Sequence, residues 1–267
     1  MNAVASAVDT KIPRANVLGV GVSAINLESA LAAIRRALER RTKGYVCVTG
    51  VHGVMEAQQD PGFKLILNQA FLVTPDGMPM VWVGRMQRLR NMDRVYGPDL
   101  MFLVCDELRT AGVTHFFYGG GPGVAQELKN RMEAKFPGLR IVGTYTPPFR
   151  PLEPAEEADL VALVAGLKPD IIWVGLSTPK QERFMAQYGA KLDATLMFGV
   201  GAAFDFYTGR VRQAPRWIQR SGLEWFFRLC CEPRRLWRRY LSNNPRFVFR
   251  IFCQFTPCAK TNCYPGG

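Results

Sequence analysis

From residue 17 to residue 201 the chain alternates short apolar runs with longer segments whose apolar positions recur three and four apart. VLGVGVSAI (17–25) alternates small and branched residues as a strand or hairpin does, and LESALAAIRRALERR (27–41) has the helical period. YVCVT (45–49) and FLVT (71–74) are buried-strand patterns that stop at polar residues, with helical VMEAQQ and FKLILNQA between them. MPMVWVGRM is a helix candidate, RVYGPD a turn, and LMFLVCDELRTAG an apolar helix closed by Gly112. A second series starts at THFFYGGGPG, where an apolar strand runs into glycines and then a helix. It continues through LRIVGTY, a proline-rich loop, the helix AEEADLVALVAGL, the strand DIIWVGL, the polar turn STPKQE, a further helix and the strand ATLMFGVG.

Repeated strand–helix units of this length predict an α/β fold, a mostly parallel sheet with helices on both faces. Ligands bind such sheets outside the carboxyl ends of the strands. Those ends are Thr49, Asp76, Gly119 to Gly121, Ser177 to Gln181 and Gly199 to Gly201, and they should converge on one crevice. The pattern divides the chain into a polar leader (1–16), a catalytic-sized body (17–208), a basic aromatic appendage (209–252) and a short tail (253–267) with no assignable role. The body should end between Gly209 and Ala214.

Charge separates the appendage from the rest. From Gly209 to Arg250 eleven arginines face only Glu224 and Glu232, a net +9 of the chain's formal +12. Trp217, Trp225, Phe226, Phe227, Trp237, Tyr240, Phe247 and Phe249 are interleaved with them. A basic segment of this kind can lie on an anionic bilayer, grip phosphates or bind nucleic acid. The first residues lack the charged start and apolar run of a signal peptide, and no window has the roughly 18 apolar residues of a spanning helix, so a cytoplasmic protein is expected. The seven cysteines form no paired CxxC site with histidines and read as reduced thiols.

Candidate chemistry gathers at the strand ends. GGGPG (119–123) between strand and helix suits an anion, because glycine allows close backbone approach and a helix N-terminus offers free N–H groups. A tight turn without ligand explains it too. It is neither the dinucleotide fingerprint nor a P-loop, which disfavours a dinucleotide cofactor or ATP. Asp76, between Pro75 and Gly77, could face the crevice as a general base or simply form the turn. Thr49 could orient a sugar or phosphate oxygen, and His52 could cap or face the same pocket. In STPKQE, capping by Ser177 or Thr178 accounts for everything except the choice of Lys180 and Gln181. With no D-x-D, HExxH or GxSxG, a metal site or a serine-hydrolase triad is not expected.

TPDGMPMVW, RVYGPDL, GLSTPKQE, GVGAAFDFYTGRVRQAPRWIQRSGLEWFFRL and EPRRLWRRYL, in that order, resemble the WecG/TagA/CpsF family of bacterial glycosyltransferases over roughly residues 17 to 250. The resemblance implies a Rossmann-like fold with a C-terminal appendage that completes the site. It implies inverting, metal-independent transfer of an N-acetylmannosamine-type sugar from a UDP donor, without a cofactor. The acceptor would be an undecaprenyl-diphosphate-linked sugar at the inner face of the cell membrane, in cell-surface polysaccharide synthesis. By motif, Asp76 looks like the catalytic base, Thr49 its partner and Gln181 a residue positioning donor or acceptor. Asp205 of AAFDF would line the nucleotide pocket, Arg94 of RVYGPDL would contact substrate, and Arg228, Arg235 and Arg238 would close over the diphosphate. The family commonly has Asn two residues after the Thr. This chain has Val51 there, so either His52 substitutes or the sugar is contacted differently. The rivals are a basic nucleic-acid-binding protein and another nucleotide-sugar-using enzyme; the resemblance favours the transferase, with no nucleic-acid partner, and leaves homo-oligomer formation open.

Overall fold

A computed structural model describes residues 12–256. The start of the leader and residues 257–267, with Cys258 and Cys263, lie outside the described residues. The hairpin β1 (Arg14–Val17) and β2 (Val20–Ser23) leads to α1 (Leu27–Glu39). Then follow β3 (Gly44–Thr49), α2 (Val51–Ala57), α3 (Pro61–Gln69), β4 (Leu72–Pro75), α4 (Met78–Met86) and α5 (Gly97–Leu108). The second series is β5 (Thr114–Gly119), α6 (Val124–Lys135), β6 (Arg140–Tyr145), α7 (Pro154–Leu167), β7 (Ile171–Gly175), α8 (Lys180–Tyr188), β8 (Leu196–Gly199) and α9 (Ala203–Tyr207). After α9 the chain runs without helix or strand to α10 (Arg216–Arg220), α11 (Glu224–Cys231) and the long α12 (Pro233–Phe255).

The six strands from β3 to β8 form one sheet in the order β4-β3-β8-β7-β5-β6, every neighbouring pair parallel. Alternate side chains enter two cores, as period two demands. Phe116, Tyr118, Ile172, Val174 and Met197 face one side, against the hairpin, α2 to α4, α7 and α8. Phe117, Ile171, Trp173, Leu196 and Phe198 face the other, against α1, α5, α6 and α9. Local chemistry starts the helices where the pattern predicts them. Asn26 and Ser29 form a capping box on α1, Asp60 accepts from the Phe63 N–H at the start of α3, and Glu153 with Glu156 caps α7.

The predicted α/β class is what the structure shows. The first hairpin lies a few residues earlier than its pattern suggested, pinned by Arg14, whose guanidinium donates to the carbonyls of Asn68 (3.0 Å) and Ala70 (2.5 Å). Two residues of α12, Phe247 and Ile251, join the body's core, so the appendage packs on the body. Among the described residues no helix is long and apolar enough to cross a membrane.

Candidate active site

The parallel order brings the carboxyl ends of β3 and β4 side by side, where the Asp76 N–H donates to the Thr49 carbonyl at 3.0 Å. Two glycines make this possible. A Cβ on Gly50 would lie 2.7 Å from the Asp76 carbonyl oxygen, and Gly77 holds φ at 103°, a conformation side chains disfavour. Asp76 is thereby turned toward a cavity of about 1030 Å³ between the body and the appendage. Its lining includes His52, Asp76, Trp82 and Tyr96 from the body, and Arg228, Arg239, Tyr240 and Asn243 from the appendage.

Burial pushes the Asp76 carboxyl up from 3.8 to about 6. Arg94 and Arg228 oppose the rise, while Glu224 and Asp99 add to it. The group is ionised at neutral pH yet basic enough to take a proton, as a general base requires. Arg94 is 8% exposed and committed to the appendage. It donates to Gln219 Oε1 (2.7 Å) and Glu224 Oε2 (2.5 Å), and its guanidinium stacks 4.0 Å from the Tyr96 ring centre. Arg94 thus ties α10 and α11 to the strand ends through its two terminal nitrogens, while its Nε is buried without a hydrogen-bond partner.

Buried donors without partners mark the anion-seeking part of the cavity. Arg94 Nε, Arg228 Nε, Arg239 Nε and the Tyr96 hydroxyl are buried and have no hydrogen-bond partner among the described residues. Unpaired buried donors are costly and call for an oxygen-rich ligand. Burial depresses the Arg239 guanidinium below its ordinary value, with nearby Arg228 and Arg235 adding to the effect. It likewise disfavours the charged form of Arg228, but Tyr240, Tyr96 and Glu224 outweigh this and leave that group raised.

His52 also lines the cavity, its pKa lowered to about 4 by burial and then by Arg239. The neutral ring accepts at Nδ1 from the Asn243 amide, 3.2 Å away on α12. Thr49 and Gln181 are both 2% exposed and sit behind the wall. The Gln181 amide is engaged, donating to Glu182 Oε1 (3.0 Å) and accepting from the Gly201 N–H (3.0 Å). Lys180 is exposed at the start of α8.

Gly119 to Gly121 lie at the end of β5, outside this cavity. A Cβ on Gly119 would meet the Gly175 carbonyl oxygen at 2.6 Å, so close strand packing accounts for that glycine, while Gly120, with φ at 74°, would bring a Cβ 2.8 Å from the Val124 side chain at the start of α6. Asp205 on α9 is half-buried beyond the cavity, its carboxyl raised by burial and lowered by Arg235, Arg210 and Arg228. The Arg228 charge lowers both the Asp76 and the Asp205 carboxyls. Arg235 reaches Glu232 at 2.6 Å and Arg238 lies over Trp237, both at the surface.

Sequence reasoning missed Arg239, Tyr96, Tyr240, Gln219, Glu224 and Asn243. Arg239 had a signal: Leu236, Asn243, Phe247 and Ile251 are the buried positions of α12, and helical spacing places residue 239 beside that face. Glu224 had none, since its partner Arg94 is far away in sequence. Among the described residues no three His, Cys, Asp or Glu side chains cluster as they would to hold a metal ion.

A carboxylate and two partly buried arginines thus share a cavity at the carboxyl edge of an open parallel sheet, where folds of this class take their ligands. The chain belongs to the glycosyl transferase WecG/TagA/CpsF family, whose model matches residues 15–260. It is 32% identical over 221 residues, 82% of this chain and 83% of the relative, to an N-acetylglucosaminyldiphosphoundecaprenol N-acetyl-beta-D-mannosaminyltransferase of Bacillus spizizenii. A protein of the same name from Bacillus subtilis (strain 168) is 27% identical over 235 residues, 88% of this chain and 79% of that one.

Proposed function

We propose that the protein transfers an N-acetylmannosamine-type sugar from a UDP donor to an undecaprenyl-diphosphate-linked acceptor sugar, with inversion and without a metal ion. The names of the two relatives support the sugar and the acceptor. The observation that carries the reading is that Asp76 shares one cavity with Arg228 and Arg239, whose buried Nε groups have no hydrogen-bond partner among the described residues.

The chemistry follows from that arrangement. Asp76 accepts the proton of the acceptor hydroxyl as its oxygen attacks the anomeric carbon. The bond from that carbon to the donor diphosphate breaks, and the electron pair leaves with UDP. Arg228 and Arg239 stabilise the charge that develops there, which is worth most in a site shielded from water. A single displacement from the face opposite the leaving group inverts the carbon. The nucleotide lies toward Asp205 and the strand ends of β5 and β8, the acceptor toward His52 and Asp76, and Arg228 between them. The arginine-rich α12 rests on the anionic inner face of the membrane, where the lipid-linked acceptor resides.

The test is transfer from UDP-N-acetylmannosamine to a short lipid-diphosphate-N-acetylglucosamine acceptor after exhaustive chelation, with the product's anomeric configuration read by NMR. Asp76→Asn should keep UDP affinity and lose about 10²-fold to 10⁴-fold in turnover. Near-normal turnover in that variant, retention of configuration, or strict dependence on added divalent ion would sink the reading.

A further inference from the structure

The cavity beside Asp76 changes character along its length. Near Asp76, Arg228 and Arg239 it is polar and sheltered. Farther out it is walled by Trp82 and Met86 of α4 and by Leu241, Val248, Phe249 and Phe252 of α12. These six side chains are between 47% and 69% exposed. Apolar residues scattered singly over a surface need no explanation, but a contiguous apolar wall joined to a polar site does.

The spacing of α12 shows how the wall is built. Leu236, Asn243, Phe247 and Ile251 are buried against the rest of the protein. Leu241, Pro245, Val248 and Phe252 fall at intervals of four, three and four, a second stripe along the same helix. That stripe lines the cavity opposite Trp82 and Met86. Pro245 sits inside α12 on this stripe and has no N–H to offer the helix or a ligand. A sugar or nucleotide placed against these side chains would lose water and gain no hydrogen bonds from them. Hydrocarbon is what such a wall accepts.

We infer that this outer arm holds the first isoprene units of the acceptor's hydrocarbon chain, the chain leaving between α4 and the second stripe of α12. The inference rests on the proposed acceptor being a polyprenyl diphosphate, and it adds a binding site that selects for the chain itself. The reaction fixes the direction: the acceptor's sugar hydroxyl must reach Asp76 at the inner end, so the hydrocarbon at the other end of the molecule falls to the apolar arm of the same cavity.

The experiment uses the full chain in vesicle-free buffer with two acceptors of identical sugar-diphosphate head, one ending in a farnesyl chain and one in an ethyl group, both below micelle-forming concentration. KM should be about tenfold or more lower for the farnesyl acceptor, because buried hydrocarbon adds binding. Met86→Ser with Val248→Ser should remove that preference while leaving kcat and KM for the ethyl acceptor within about twofold, a reach set by the exposed position of both residues. Equal KM for both acceptors in the unaltered protein would overturn the inference while leaving the proposed function standing. Substitutions that weaken vesicle binding yet preserve the KM ratio would also overturn it, by making the arm a bilayer anchor. Transfer to neither acceptor would overturn the proposed function and this inference with it.

Discussion

The sheet body and the C-terminal appendage spend their apolar side chains in opposite ways. In the body, Trp173, Phe116, Phe117 and Phe198 are fully buried between sheet and helices. In the appendage, Trp217, Phe226, Trp237, Leu241, Val248, Phe249 and Phe252 stay exposed, while Leu236, Phe247 and Ile251 are its buried large apolar residues. The body is therefore held by its own core. The appendage is held by that small apolar contact together with polar ties such as Arg94 to Glu224 and His52 to Asn243. One region carries Asp76, and the other brings most of the positive charge and leaves much of its apolar surface exposed.

The sharpest way to break this contrast is to truncate one aromatic from each region. Trp173→Ala should cost about 3 to 5 kcal/mol in urea unfolding, as large core truncations do. Phe249→Ala should stay within about 0.5 kcal/mol. Equal losses would mean that Phe249 is packed as tightly as Trp173 and does not belong to an outward-facing surface.

Next in size is the division of labour in catalysis. Arg228→Ala or Arg239→Ala should each cut transfer by about 10² to 10³, the usual loss when a donor to a developing negative charge is removed. The urea midpoint of the body should hardly move. A variant that unfolds more easily and keeps its transfer rate would reverse the roles assigned to these arginines.

Asp76 sharpens the contrast from the body's side. Its folded value of about 6 exceeds the ordinary 3.8, so the stability tied to the protonated carboxyl is fully present below about pH 4 and lost as pH rises through 6. Asp76→Asn avoids that loss. It should be more stable than the unaltered protein above pH 6, by at most about 3 kcal/mol, and no different below pH 4. Transfer by the unaltered protein should rise through the same pH range as the base ionises. Thermal melts and pH–rate profiles would check both halves, and a variant destabilised at pH 8 would contradict the first.

The smallest effect concerns the outer surface. Arg246→Gln and Arg250→Gln should each weaken flotation with anionic vesicles by about 1 kcal/mol, and added salt should shrink the difference. Vesicle binding indifferent to both changes would leave the exposed apolar residues as the whole of the contact.

How far the sequence revealed these roles depended on whether the signal was local. The strands around Cys47, Phe117, Trp173 and Phe198 were legible because a strand buried on both faces needs an uninterrupted apolar run, and their parallel order followed from the helices between them. Asp76 was legible because a turn between Pro75 and Gly77 must end a strand at the carboxyl edge. Arg94 was singled out by its motif, but its pairing with Glu224 is made by tertiary packing and leaves no periodic trace. In EPRRLWRR the motif drew attention to Arg235 and Arg238, whereas the buried face of α12 turns Arg239 inward. Gly119 to Gly121 carry a signature that glycine shows wherever backbone approaches closely; at Gly119 the neighbour is the Gly175 carbonyl on the adjacent strand, and at Gly120 it is the Val124 side chain.

The seam between the two regions also carries its own optical readout. Gly222, in the turn between α10 and α11, lies so close to Trp82 that a Cβ there would sit 2.5 Å from the indole. Of the five tryptophans, Trp173 is sealed in the sheet, while Trp82, Trp217, Trp225 and Trp237 stand at or beyond this junction. Emission from Trp173 should be blue and deaf to added quencher. The other four should give a red, quenchable signal, and undocking α10 and α11 should strip the cover from Trp82. Intrinsic fluorescence then separates the junction from the core without any label, so that association with a lipid and unfolding of the sheet can be followed as two different colours in the same cuvette.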